Sequence, residues 1–139
     1  MHSLGFRLIS FASGLLLLIA AGCGDGSSKG AGNLTAALGQ LSGDADTKVA
    51  GLAEIAQIGP AAATAVDKIT PLLKDSDPIV RRTAAYALGE IGPAAKSALP
   101  TLKEMLNTTD RDQLTAVANA LRAIDPKSLP DVKIENIGN

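Results

Sequence analysis

No tryptophan occurs in this 139-residue chain, and histidine, cysteine and tyrosine occur once each. The histidine is His2 and both phenylalanines, Phe6 and Phe11, precede Cys23, so Tyr86 is the only aromatic side chain beyond that point. Without an imidazole past position 2, Ser-His and Cys-His nucleophilic pairs cannot be built, nor can the Cys/His sets that hold zinc. Without aromatic platforms, bases and flat cofactors have little to stack on. Only carboxylate, amine, hydroxyl and phenol chemistry remains, so no catalytic residue, cofactor or metal site is expected. Charge of one sign is scarce too: 13 Lys+Arg stand against 14 Asp+Glu. A nucleic-acid-binding module needs a basic stripe, and nucleic acid is therefore not an expected partner.

The segment before Cys23 differs in kind from the rest. Arg7 is its only firm charge, Leu8 to Ala21 forms an almost wholly apolar run of 14 residues, and Gly22-Cys23 follows. A spanning helix needs roughly 20 apolar residues, and the small residues Ala20, Ala21 and Gly22 suit a peptidase, so residues 1–22 read as an export signal. Losing them removes one cation and no anion, which takes the net charge from -1 to near -2. Cys23 directly follows Ile19-Ala20-Ala21-Gly22, a run that resembles the lipobox of bacterial lipoproteins, with Ala20 where Leu is usual. That resemblance implies a diacyl (palmitate-type) thioether on Cys23, and hence a membrane anchor in the cell envelope. Ordinary cleavage near Ala21 with a leftover thiol, and an uncleaved anchor, stay open as alternatives.

Residues 23–33 follow as the lipid-bearing cysteine and a linker rich in Gly24, Gly26, Ser27, Ser28, Gly30 and Gly32. Such composition buries nothing; ten flexible residues have an r.m.s. span of roughly 17 Å. The repeat domain is expected over 34–139. Leu34, Leu38 and Leu41 stand four and three apart, the spacing of a lone capping helix, and Ser42-Gly43-Asp44 interrupts them.

What the remainder has is one copied unit. Ile58-Gly59-Pro60, Ile91-Gly92-Pro93 and Ile124-Asp125-Pro126 recur at one constant interval, and Asp44, Asp77 and Asp110 recur at the same interval. A period of this size means that each unit leaves an apolar face for its neighbour to cover, giving units at about 44–76, 77–109 and 110–139. Each Asp stands where a first helix begins and is expected to cap it, and Pro78 suits the first helical position. Their regular spacing also suggests a carboxylate ladder for calcium, but a repeat rise of roughly 10 Å far exceeds one calcium's 2.3 to 2.6 Å oxygen shell. Leu52, Ile55 and Ile58 align with Ala85, Leu88 and Ile91 and with Ala118, Leu121 and Ile124 as one buried stripe. Ala84, Ala85 and Ala87, with Ala118 and Ala120 in the third unit, permit close helix approach. Gly-Pro pairs end the first helices, and Asp125-Pro126 is a weaker terminator. Second helices draw on Val66, Ile69, Leu72 and Leu73, and on Leu99, Leu102, Met105 and Leu106. Pro100 fits a first turn, whereas Pro71 falls inside its helix and predicts a bend near Thr70. Past Pro126 the pattern decays into Leu129, Val132, Ile134 and Ile137, a degenerate cap.

The segment from Asp77 to Pro93, DPIVRRTAAYALGEIGP, resembles the HEAT repeat, close to the HEAT-like type of phycobilisome lyases. Asp44 to Asp75 resembles it more loosely, with Lys48 where Arg81 stands, and Asp110 to Pro126 keeps the apolar positions but has Leu114 there. The resemblance covers about residues 44–126. It implies an all-α fold, a short α-solenoid of about three HEAT-like helix pairs with an N-terminal capping helix, whose second helices line a concave protein-binding face. The lyase likeness also raises a bilin-lyase-like enzyme, against which the export signal argues.

The expected role is a non-catalytic, membrane-tethered adaptor or scaffold that binds an unknown protein partner. Arg82, Lys96, Lys103 and Lys68 are the candidate contacts; Lys96 and Lys103 stand seven apart on a second helix, suited to an acidic partner. Arg81 is expected to pair with Asp77 or an acid of the next unit, leaving Arg82 freer. Tyr86 is either an interface anchor or the filling of a groove between helices. The alternative role is a structural envelope lipoprotein with weak self-association through its terminal helices. Lipidation carries its own test: Cys23→Ser is expected to abolish fractionation with membranes, and unaltered attachment would indicate an uncleaved anchor.

Overall fold

The computed structural model describes residues 27–128, without the side chains of 27–32. Residues 1–22, Cys23, and Leu129, Val132, Ile134 and Ile137 of the expected C-terminal cap lie outside the described residues. Within them every regular element is helical: α1 (Ser27–Gln40), α2 (Ala45–Ile58), α3 (Val66–Ile69), α4 (Pro78–Ile91), α5 (Leu99–Glu104) and α6 (Arg111–Ile124), joined in part by 3-10 turns. The first helices of the units, α2, α4 and α6, lie side by side as one layer, α1 closes its N-terminal edge, and the second arms, built on α3 and α5, form the other layer.

The same local chemistry starts each first helix. Asp44 accepts from the Thr47 N–H at 2.9 Å, Asp77 from those of Ile79 and Val80 at 2.7 and 3.3 Å, and Asp110 from those of Asp112 and Gln113 at 3.0 and 3.2 Å. Each carboxylate satisfies donors that the helix leaves unpaired, a contribution of about 1 kcal/mol. Pro78 occupies the first turn of α4. Helices α2 and α4 end at Gly59 (φ 63°, ψ -134°) and Gly92 (φ 70°, ψ -140°), a backbone region closed to residues with a Cβ. At the third position Asp125 is extended instead (φ -153°), and its carboxylate accepts from the Lys127 N–H at 3.0 Å.

Leu52, Ile55, Ala85, Leu88, Ile91, Leu121 and Ile124 are buried, with Ala84, Ala87 and Ala120 beside them. Ile58 and Ala118 are half-buried. The second arms close the core from below with Ala62, Ala65, Val66, Ile69, Leu73, Ala95, Ala98, Leu102 and Met105. The apolar stretch Ala45–Lys74 resembles a membrane span by composition alone, but the turn at Gly59 folds it back on itself.

Two features depart from the sequence reading. The segment 23–33, expected as a flexible linker, is helical from Ser27 onward. Ala37, Leu38 and Leu41 pack against the core and anchor the helix, and once it is nucleated each further residue adds a hydrogen bond at small cost. Approach is close: a Cβ on Gly51 would stand 2.7 Å from the carbonyl oxygen of Ala37. The second arms, expected as plain helices, are α-helical only over α3 and α5. They break at Ala62 (φ -88°, ψ 19°) and Ala95 (φ -87°, ψ 20°) and run as 3-10 turns elsewhere. Pro71 lacks the N–H that α-helix would need, so the chain tightens to 3-10 over Thr70–Lys74, and the Thr70 hydroxyl donates to the Val66 carbonyl at 2.7 Å.

A methyl group on Gly92 meets nothing nearer than the Ala123 carbonyl oxygen at 4.0 Å, so its cost is backbone strain alone. Gly92→Ala is expected to lower the unfolding free energy by about 1–3 kcal/mol, seen as a reduced Tm with an unchanged helical spectrum.

Candidate functional site

Polar ties on the first-helix side link each first helix to the end of its own unit or to the neighbouring units. Lys48 donates to Asp75 Oδ2 at 2.7 Å, with side chains only 23% and 11% exposed. Arg81, at the matching position of the next unit, donates through Nε to Gln113 Oε1 at 3.1 Å and through Nη1 to the carbonyl oxygens of Asp75 and Ser76 at 2.8 and 3.0 Å. The expected Arg81 pairing with Asp77 or another acid is therefore corrected: the Asp77 carboxylate is occupied capping α4, and the guanidinium takes carbonyl and amide oxygens instead. Arg82 is not free either. Its Nη1 donates to Asp112 Oδ2 at 3.0 Å, across the seam between α4 and α6.

Among the described residues, that seam is where the distinctive side chains converge. Helices α4 and α6 run in the same direction, since Arg82 meets Asp112 near one end and a Cβ on Gly89 would stand 3.1 Å from Ala120 Cα near the other. Between them opens a shallow groove of about 520 Å³, walled by Arg82 and Tyr86 on α4 and by Asp112 and Asn119 on α6, with Thr83, Thr115 and Ala116 along its floor. Tyr86 is 55% exposed and Ile79, two turns earlier on the same face, is 51% exposed; they are the large apolar side chains that the described surface leaves open. Tyr86 thus stands at the groove's lip rather than filling it. The Thr83 and Thr115 hydroxyls donate to the carbonyls of Ile79 and Arg111, each at 2.8 Å, and their oxygens keep acceptor capacity. Phenol, guanidinium, carboxylate and hydroxyls on a shallow bed suit gripping a macromolecular surface, since Tyr and Arg dominate binding energy where they cluster.

The structure separates the residues nominated from sequence. Arg82 sits in the groove; Lys68 on α3, Lys96 in the turn before α5 and Lys103 on α5 are exposed in the other layer, where Lys74 and Glu104 pair at 2.9 Å. Cys23 lies outside the described residues. Sequence reading missed Asp112, Thr115 and Asn119, although a signal existed: they stand one repeat period after Ile79, Arg82 and Tyr86, at the same outward positions of the next unit. Among the described residues, no group of three or more Cys, His, Asp or Glu side chains is placed to hold a metal ion.

A family model for HEAT repeats matches residues 33–125. No curated protein and no solved structure matches the chain.

The hydrogen bond from Lys48, aided by the Asp77 N–H, holds the Asp75 carboxyl below the ordinary carboxylate range against an opposing contribution from burial. A depressed folded-state pKa contributes stability that is present above the unfolded value, about 3.9, and lost as pH falls through the folded one. Asp75→Asn is expected to lower Tm at pH 7, and the gap from wild type to shrink steadily between pH 5 and pH 2. A gap that is constant with pH would mean that the carboxylate charge is not what Lys48 holds.

Proposed function

We infer the role from one premise: the chain belongs to the HEAT-repeat family, and its helical stack is a protein-interaction scaffold. The scaffold binds its partner through the α4–α6 groove. One observation carries this reading: the sole aromatic side chain beyond Cys23 stands 55% exposed beside the Arg82–Asp112 pair, at the edge of a bed that a partner can fill. An unpaired Tyr in contact with water gains from burial, while its hydroxyl keeps a hydrogen-bond partner at the rim. The lysines of the second arms, Lys68, Lys96 and Lys103, lie in the other layer and stay outside this surface.

The scaffold is non-catalytic and works in a bacterial cell envelope, held to a membrane through lipidated Cys23. The apolar run Leu8 to Ala21 and the small residues before Cys23 support the tether. With α1 starting at Ser27, only residues 24–26 stand between the helix and the anchoring cysteine. The domain then rides close to the bilayer, where a partner must lie in or against the same membrane.

Site-specific photocrosslinking in cells separates the two faces. A crosslinker at Tyr86 is expected to give a discrete adduct, and one at Lys103 a weak one or none. Tyr86→Ala is expected to weaken partner binding by about 30-fold, the effect of a residue worth about 2 kcal/mol. An adduct from Lys103 alone would move the binding surface to the second arms.

A further inference from the structure

We propose that the α4–α6 groove takes a second copy of this chain, forming a weak two-fold dimer. The proposal rests on reading the groove as a binding surface and names its occupant.

The groove is self-complementary. Helix α4 supplies a ridge, Ile79 and Tyr86, with the guanidinium of Arg82 beside it; α6 supplies a bed of Thr115, Ala116 and Asn119 with the carboxylate of Asp112. Ridge and bed are neighbours, and the two helices run in the same direction. A half-turn about an axis parallel to both, set midway between them over the groove, lays α4 of each copy on α6 of the other. The Tyr86 ridge then meets the Thr115–Asn119 bed twice. Arg82 and Asp112 lie at one level along the axis, because they already pair within the chain at 3.0 Å. In the dimer each Arg82 therefore faces Asp112 of the second copy, and the exposed pairs exchange at no loss of charge balance. This is the isologous pattern that closed two-fold assemblies require.

Charge separates this face from the other layer. Arg82 and Asp112 line the groove with opposite signs, so two copies meet there without net repulsion. On the second arms, once Lys74 and Glu104 have paired, Lys68, Lys96 and Lys103 oppose only Asp67, and two such faces repel. Size sets the strength. Two helices of 14 residues are each about 21 Å long and lie about 10 Å apart, a footprint of roughly 400 Å² per copy. Twice that, about 800 Å², belongs to weak and transient association. Confinement of tethered copies to one membrane raises their effective concentration enough for such a contact to form.

The test is sedimentation velocity of the full chain in detergent micelles over a range of concentrations, with Arg82→Glu, Asp112→Arg and their equimolar mixture. Both side chains reach solvent, 43% and 75% exposed, and melting curves verify that each variant is folded. Wild type is expected to dimerise reversibly. Each variant alone places like charges opposite one another and is expected to weaken the dimer about tenfold or more. The mixture restores opposite charges at both contacts and is expected to recover wild-type association. A wild type that stays monomeric, variants that dimerise as wild type does, or a mixture that fails to recover each overturns the proposal. A monomeric wild type that still gives a crosslinked adduct with a different protein from Tyr86 in cells leaves the groove as a binding site and removes only the second copy as its occupant.

Discussion

Burial of α4 between α2 and α6 is the contact on which the rest of the molecule depends. Its Ala84, Ala85, Ala87, Leu88 and Ile91 are all fully buried, and no single unit has the apolar area to achieve that alone. Three alanines on one helix leave little side-chain bulk between neighbouring backbones, so α2 and α6 close in on both flanks. Leu88 and Ile91 then share one buried core with Ile69, Leu73 and Leu102 of the second arms. The layers, the seam and the groove above it are consequences of this close approach.

The polar ties set register more than strength. Lys48 with Asp75, and Arg81 with Gln113 and two carbonyl oxygens, are partly buried and link a first helix to the segment that leads into the next unit. A shift of one unit against another would strand these groups, which is costly where water is partly excluded. Arg82 with Asp112 and Lys74 with Glu104 are exposed, and such pairs add at most about 1 kcal/mol each. Their value lies in where they leave charge. One face is left mixed in sign and the other lysine-bearing, although the chain as a whole is nearly neutral.

Features governed by local geometry were legible in the sequence. Asp44, Asp77 and Asp110 cap because the residues around each repeat the same start, Gly59 and Gly92 stop helices because only glycine fits that turn, and Pro71 marks the point where α gives way to 3-10. The family match spans these same residues. Features that need two distant residues to meet were not legible. Arg82 reads as a free surface charge until α6 brings Asp112 to it, and Arg81 reads as matched to Asp77 until capping claims that carboxylate. Gln113 holds the position of Thr47 and Val80 and gives no hint of being a buried acceptor. The helical start at Ser27 was hidden by glycines and serines whose composition argues for coil.

The constant register has an evolutionary consequence. Asp44, Asp77 and Asp110 open equivalent helices, and each interior stripe matches the next position by position, so unequal recombination between units joins a helix start to an equivalent helix start. Whole units can then be gained or lost while the interior stays matched at the new junction. The groove is different, because Tyr86 and its partners across the seam belong to one particular pair of units. Such a lineage can change its length freely while the groove stays with a single junction.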